Sequence, residues 1–428
     1  MSHDTKRDRR ESEFTASAAR PESDTQLESE TEPAIEIERI LPGGYGLAHH
    51  SGKTLLIGFA APGDILRVKL EKSKARAHFA SIQEIITTSP ERVSPRCQHF
   101  GVCGGCDFQH LDYSAQIKAK SEIVRDCLRR IAGIPEEELN QRGISIRFFP
   151  APNPFEYRTR ARWQHDTENG SVGYFKRGSN EVCDVHECPI LAPHVQREFS
   201  ELRIKISRED NSASRREIRS YKSGIFGDSP DESVVTIAGE QYYFNDQCFF
   251  QSSTDLLPAM IEEVIGAGPG QTALDLYCGV GLFTLPLARQ YKFVAGVEGN
   301  QTACAYARFN ATNAELNNIQ IDAQDVEKWL SSRTSKNAAK NTAKKFRSPD
   351  LVVLDPPRTG AGNDVTEWLV NSGARQIVYV SCDPATLARD LKALLKTKVY
   401  DIDSIAIFDL FPQTHHVETV VRLSHKEC

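Results

Sequence analysis

The sequence predicts a Rossmann-like α/β fold with a doubly wound sheet, preceded by a small N-terminal β-barrel and a mixed α+β central domain. Three observations carry this. From about residue 246, the strand-like runs TALDLYCG, FVAGVEG, DLVVLDPP, QIVYVSCDP and ETVVRLSH alternate with helical segments, the pattern of a sheet covered by helices on both faces. Between residues 34 and 91, IEIERI, TLLIGF, DILRVKLEK and AHFASIQEII are short strand-like runs parted by the turns PGGYG (42–46) and APGD (61–64), which fits a small closed barrel. Between these regions lie a cysteine-rich loop at 97–106, a helix from Ser114 to about Ile131, and short strands mixed with polar loops.

The 428 residues are 39% apolar and 26% charged, enough for two or three globular domains of roughly 100–200 residues. The boundaries fall at 1–32 for a disordered tail, 33–91 for the barrel, 92–245 for the central domain and 246–428 for the α/β domain. No apolar run approaches the roughly 20 residues of a membrane span. The first residues, MSHDTKRDRRESEF, have no apolar stretch behind their charges, so a cytoplasmic chain is expected. The net charge of −6 argues against a basic nucleic-acid footprint, but residues 1–32, with five Lys/Arg against nine Asp/Glu, contribute −4 of it. The near-neutral remainder can carry a basic groove. SSRTSKNAAKNTAKKFRSP (331–349) has six Lys/Arg and no acid. It reads as a solvated insertion, the alternative being an auxiliary phosphate-contacting loop.

In ALDLYCGVGLFTLPLA (273–288) a buried strand ends near Leu276, and a turn with Gly279 and Gly281 leads into a helix. Glycines there let backbone approach a ligand beyond the carboxyl end of a strand. Glu298, ending the next strand about 20 residues on, suits both hydroxyls of a ribose. No phosphate-cradling Lys or Arg is near, which favours S-adenosylmethionine over a dinucleotide. Asp325, in DAQDVEKWL, sits where a third strand should end, within reach of an adenine; it also reads as a helix N-cap.

LVVLDPPRTGAG (351–362) puts Asp355 and two rigid prolines past another buried strand. IVYVSCDPATLARD (377–390) places Cys382 at a strand's carboxyl end, facing the ligand crevice. HHVETVV (415–421) places Glu418 at the opening of the last strand. A thiolate added to carbon 6 of uracil makes carbon 5 nucleophilic toward a methyl donor. A carboxylate must then remove the carbon 5 proton so that the thiol can leave. Cys382 and Glu418 supply these two groups, and the target base must be flipped out or single-stranded.

DLYCGVGLFTLPLA, VEGN, LDPPRTG, YVSCDP and HHVETVV, in this order, resemble the RNA uracil-5-methyltransferase family over most of residues 35–428. The resemblance implies a methyltransferase domain at 246–428 and makes the barrel similar to that family's TRAM RNA-binding domain, an oligonucleotide-binding type of barrel. It also implies that Gln251, Tyr277, Glu298, Asp325 and Asp355 contact the cofactor and that Phe249 packs against the target base. Leu282 departs from the Asn that many members carry in the glycine loop.

Eleven cysteines are many for a reducing compartment and point to metal or catalysis before disulfides. Cys97-x5-Cys103-x2-Cys106, with Cys188-Pro189 about 80 residues on, suits a four-cysteine iron–sulfur site, with zinc as runner-up and no metal as the remaining alternative. Cys183 is the competing fourth ligand. The resemblance favours 4Fe–4S, because cluster-bearing members of the family carry such a set. In YRTRARWQ (157–164), strand alternation would put Arg158, Arg160 and Arg162 on one face beside aromatic residues, which suits single-stranded RNA; a solvated cationic face is the plainer reading.

The resulting expectation is a monomer that methylates carbon 5 of a uridine in 23S rRNA. The alternatives are the T-loop of tRNA and a non-catalytic RNA-binding or RNA-folding protein. Cytosine methylation is disfavoured because Arg358, not cysteine, follows the Pro-Pro pair. Aminomethylation would need neither Cys382 nor Glu418.

Overall fold

The structure, a computed structural model, describes residues 34–74, 77–208, 218–223, 232–266, 268–334 and 348–426. The expectations for the 1–32 tail and for most of the 331–349 insertion lie outside them.

Strands β1 (Ile35–Glu36), β2 (Arg39–Leu41), β3 (Tyr45–His50), β4 (Lys53–Gly58), β5 (Ile65–Lys74) and β6 (Ala77–Thr87) form one sheet in the order β1-β5-β6-β4-β3-β2. Its two edges are halves of a single chain segment, β1 pairing with β5 and β2 with β3. Between the halves, Ile37 N donates to Asp64 O and Glu38 N to Leu47 O. These bonds bring the two edges of the sheet together at this segment, as in a small barrel. Alternation turns Ile35, Ile37, Leu55, Ile57, Leu66 and Val68 into its core.

Helix α1 (Tyr113–Cys127) is capped by Asp112, whose side chain accepts from Ala115 N at 2.8 Å. The predicted helix continues past it as one π-helical turn, Leu128–Ala132, and ends at Gly133 with φ +75°. Helix α2 (Glu136–Gln141) and β7 (Ile146–Phe149) follow. Strands β8 (Ala161–Asp166), β9 (Val172–Phe175), β10 (Val182–Asp184) and, after α3 (Pro193–Arg208), β11 (Ile218–Ser223) form an antiparallel sheet in the order β10-β9-β8-β11. Trp163 of β8 stacks on Phe199 of α3 at 4.6 Å between centroids. A hairpin of β12 (Glu232–Ile237) and β13 (Glu240–Asn245) leads onward.

The last part runs α4 (Leu257–Ile265), β14 (Gly270–Leu276), α5 (Thr284–Gln290), β15 (Tyr291–Glu298), α6 (Gln301–Asn313), β16 (Ile319–Ala323), α7 (Val326–Thr334), β17 (Leu351–Leu354), α8 (Gly362–Asn371), β18 (Gln376–Ser381), α9 (Pro384–Lys396), β19 (Tyr400–Phe408) and β20 (Glu418–His425). The eight-stranded sheet has the order β16-β15-β14-β17-β18-β20-β19-β7, with β20 antiparallel to both neighbours. Strand order reverses between β14 and β17, the switch point where such sheets bind ligands. All four residues of β17 are buried, as expected for a strand covered on both faces. Leu274, Leu276, Val352 and Leu354 pack into one apolar layer, while Ala273, Leu351 and Val353 face the other.

The sheet crosses the boundary expected at residue 246. Strand β7 pairs in parallel with β19, and Val124, Leu128, Leu139 and Ile144 share an apolar cluster with Leu354, Tyr379 and Leu391. Residues 113–149 thus pack with the α/β sheet, through long-range pairing that a four-residue strand does not announce locally. No helix among the described residues is long and apolar enough to cross a membrane.

Candidate active site

The turn after β14 is built from backbone that side chains rarely tolerate. Tyr277, Gly279 and Gly281 have φ of +64°, +54° and +99°. A Cβ on Gly281 would lie 2.7 Å from Leu285 Cδ1, so glycine is needed there for both conformation and space. Glu298 ends β15 and ties the turn down: its Oε2 accepts from Gly279 N at 3.0 Å and its Oε1 from Asn300 N at 2.7 Å. Each oxygen keeps a further lone pair for a ligand hydroxyl. Asp325 is exposed beside Gly299 and accepts from Lys328 N at 3.1 Å, so it does cap α7. The carbonyl of Leu282, where the sequence departs from the family pattern, accepts from Tyr242 Oη at 3.0 Å. That contact uses the backbone alone.

Asp355, Cys382 and Glu418 meet along the same sheet edge. Leu276 of β14 and Leu354 of β17 are in register, and Asp355 N donates to Leu276 O at 3.3 Å. Asp355 therefore lies alongside the Tyr277 turn. Ser381 of β18 pairs with Thr419 of β20, which sets Cys382 opposite Glu418 at the end of that ladder. Asp383 then caps α9 by accepting from Ala385 N and Thr386 N at 3.0 and 2.8 Å. Cys382 is half-buried in this strand-to-helix turn. Burial, with the charges of Glu418 and Asp355, pushes its thiol up to about 12, while Arg358 pulls the other way. Burial likewise lifts Asp355 to about 7. Glu418, only 3% exposed, is raised well above the usual carboxylate range by burial and by Asp355, with Arg358 opposing.

The segment after β13, whose Gln247 O accepts from Asn300 Nδ2 at 3.3 Å, carries Phe249 and Gln251. Gln251 is buried, whereas Phe249 is 74% exposed, the most exposed large apolar side chain among the described residues. Arg160 holds the segment from behind: its guanidinium donates to Phe250 O at 3.3 Å and Cys248 O at 3.4 Å and lies 4.7 Å from the Phe244 ring centroid. The three arginines of YRTRARWQ do not share the expected strand face. Only Arg162 belongs to β8, where it is exposed. Arg158 bridges Leu191, donates through Nε to Arg160 O at 3.0 Å, and lines the cysteine cavity.

Cys97, Cys103, Cys106 and Cys188 line one cavity together with Arg158 and Tyr174. Gly104 N donates to Phe175 O, which pins the cysteine loop to β9, and Arg158 N donates to Ile190 O, which pins the Cys188-Pro189 stretch. Gly105 N points at Cys103 Sγ, 3.4 Å away. Burial pushes Cys103 and Cys106 up to about 12. Cys183 is buried in the adjoining apolar core of β8–β10, against which Cys103 and Cys188 also pack, with its Sγ 3.9 Å from His99 Nδ1. Among the described residues no three His, Cys, Asp or Glu side chains converge tightly enough to hold a single metal ion.

One residue escaped the sequence reading. Asp275, fully buried under the glycine turn, accepts from Thr284 Oγ1 at 2.5 Å, and burial lifts it to about 7. An acid in mid-strand among apolar neighbours was the signal available. Gln251 Oε1, Asp275 Oδ1, Glu418 Oε2 and Thr419 Oγ1 are buried with no hydrogen-bond partner among the described residues. Native folds leave few such groups, and two of them, on Asp275 and Glu418, lie beside Asp355.

The family model described as tRNA (Uracil-5-)-methyltransferase matches residues 228–426. The chain is 30% identical to the 23S rRNA (uracil(1939)-C(5))-methyltransferase RlmD of Enterobacter sp. (strain 638), covering 90% of this chain and 95% of that one. It is 32% identical to an uncharacterized RNA methyltransferase of Treponema denticola, covering 86% and 93%. A solved structure, the Pyrococcus abyssi tRNA (uracil-54, C5)-methyltransferase in complex with S-adenosyl-L-homocysteine, superposes with a TM-score of 0.66 over 91% of this chain and all of that one. At 24% identity it shows the shared fold. With the sheet edge, glycine turn and Cys382–Glu418 pairing in place, the chain belongs to the RNA uracil-5-methyltransferase family.

Proposed function

We propose that this protein methylates carbon 5 of one uridine in 23S rRNA, through a covalent adduct between Cys382 and the base. The observation that carries the reading is the register that sets Cys382 against Glu418 beside Asp355, at an edge where buried carboxylate oxygens of Asp275 and Glu418 lack partners. Relatives at about 30% identity that are named for 23S rRNA support the substrate.

S-adenosylmethionine, when bound, supplies an electrophilic methyl group. Tyr277, Gly279, Gly281, Glu298, Asp325, Gln251 and Asp355 are the residues that would hold it. Phe249 packs on the flipped base, and Arg160 fixes the segment that carries it. The Cys382 thiol gives its proton to water, a step Arg358 favours, and the thiolate adds to carbon 6, the double-bond electron pair moving onto the carbon 4 carbonyl as an enolate. Carbon 5 then takes the methyl group. Glu418 removes the carbon 5 proton, the carbon 5–carbon 6 double bond reforms and the thiolate leaves. Arg162 and the N-terminal six-stranded sheet, read as a TRAM-like barrel, offer further RNA contacts. Arg158 serves the cysteine site before any RNA.

The four cysteines fit a 4Fe–4S group better than zinc. A single tetrahedral zinc needs sulfurs about 3.8 Å apart for Zn–S bonds near 2.3 Å, and among the described residues no three such side chains converge on one ion position. Amides donating to the sulfurs are what such a cluster uses to tune its thiolates. Mapping 5-methyluridine in total RNA from a cytoplasmic extract of a strain lacking the protein tests the substrate. One 23S position should lose its methyl group; loss from tRNA with intact rRNA would overturn the choice.

A further inference from the structure

The cysteine cavity and Glu418 belong to different parts of the chain, yet a single loop joins them. The segment 409–417 leaves β19 after Phe408 and delivers the chain to Glu418, and upstream residues grip it throughout. Asp409, fully buried, accepts from Lys120 Nζ at 2.6 Å and Tyr113 Oη at 2.9 Å. Tyr157 Oη donates to Pro412 O at 3.0 Å. Gln413 is buried with φ of +68°, a conformation an L-residue keeps only where its surroundings impose it. Its N donates to Gln116 Oε1 at 2.9 Å, and Gln116 Nε2 donates to Gln413 Oε1 at 3.0 Å. Its carbonyl accepts from both Asp107 N, at 3.0 Å, and Phe108 N, at 2.9 Å. Two residues on, His415 Nδ1 donates to Asp107 Oδ2 at 2.6 Å.

Asp107 directly follows Cys106. It also pairs with Arg177, the neighbour of the Lys176 that bridges Cys103. The turn that shapes the loop before Glu418 is thus made by the same residues that place two of the cavity's thiols.

We infer that the cysteine loop positions the base: Asp107 and Phe108, set by the occupied cysteine site, hold Gln413 and His415 and through them Glu418. Asp107, Gln116, Gln413 and His415 are positioning residues, and the inference rests on Glu418 acting as the base of the proposed reaction. It predicts a defined fault. Addition of the thiolate and methylation of carbon 5 need no proton from carbon 5. Only the closing step does: the carbon–hydrogen bond breaks, its electron pair reforms the ring double bond, and the sulfur–carbon 6 bond breaks to return the thiolate. A displaced Glu418 therefore strands the enzyme as a methylated covalent adduct.

The test uses the full chain, S-adenosylmethionine and a uridine-containing rRNA fragment, with adduct scored on a denaturing gel. Asp107→Ala should accumulate adduct as Glu418→Gln does, with turnover down roughly 10- to 100-fold, the cost of about 1 Å of misplacement, and first-turnover methyl transfer retained. Asp107→Asn, which keeps an acceptor for His415, should restore release. In the wild-type chain, stripping the cysteine site should speed amide exchange across residues 409–418. The inference fails if Asp107→Ala loses turnover without adduct while Glu418→Gln traps it, since Asp107 is then merely structural. It fails too if stripping leaves that exchange unchanged, a measurement that holds even where Asp107→Ala does not fold. If wild type forms no adduct with 5-fluorouridine RNA, whose carbon 5 fluorine a base cannot remove, the covalent reading itself fails instead.

Discussion

Replacing Asp355 with Asn should stabilise the fold while impairing catalysis, and the size of the gain follows from the site. Asp355 is half-buried next to Glu418, and burial raises its carboxyl from 3.8 to about 7. A carboxyl whose folded pKa lies above its unfolded value supports the fold fully below the unfolded pKa, and that support is lost as pH rises toward the folded one. At about 1.4 kcal/mol per pH unit the loss between pH 3.8 and 7 has a ceiling of ~4 kcal/mol. Water reaching a half-buried group trims it to about 1–3 kcal/mol. Asn carries no charge, so the variant escapes this cost. Thermal unfolding at pH 5.5, 7 and 8.5 measures it. The Asp355→Asn melting temperature should exceed wild type by roughly 2–10 °C at pH 8.5, at about 2–4 °C per kcal/mol, and by less at pH 5.5. A wild type more stable at pH 8.5, or a difference independent of pH, would refute the argument that the site holds its carboxylates at the expense of stability.

Other expectations follow from single features. Gly281→Ala meets Leu285 Cδ1 at 2.7 Å with φ at +99° and should weaken S-adenosylmethionine binding by about 10-fold or more, the effect of about 1–3 kcal/mol of strain. Gly279→Ala, at φ +54° with open space around it, should be milder; calorimetric titration compares the two. Arg160→Lys loses the fork on the Cys248 and Phe250 carbonyls and should raise the KM for RNA by roughly 5- to 30-fold, for about 1–2 kcal/mol, with the methyl-donor affinity unchanged. Because the Cys382 thiol is pushed up to about 12, adduct formation with 5-fluorouridine RNA should rise about tenfold per pH unit between roughly pH 6 and 9. A flat quenched-flow profile there would contradict it.

The α/β domain was legible because buried strands and amphipathic helices alternate locally, and because the glycine turn and the rim residues sit at strand ends. Cys382 and Glu418 lie 36 positions apart in sequence, but one antiparallel pairing brings them together. What stayed hidden depends on distant partners. The pairing of β7 with β19 spans some 260 residues and leaves no mark in IRFF. The acids Asp401 and Asp403 interrupt the apolar pattern of β19 itself. The direction of Arg158 and Arg160 is set by carbonyls on other segments, so strand alternation before Ala161 misassigned them. Asp107 and Gln413 gave no local sign, because their roles arise only where the cysteine loop meets the loop before Glu418.

The most direct measurement is methyl transfer and adduct formation by Cys382→Ala, beside wild type, on the same rRNA fragment. Wild type should methylate carbon 5 of one uridine and form a denaturation-resistant adduct with the 5-fluorouridine version. Cys382→Ala should do neither while still binding RNA and S-adenosylmethionine. Methylation of carbon 5 by Cys382→Ala would contradict the covalent account.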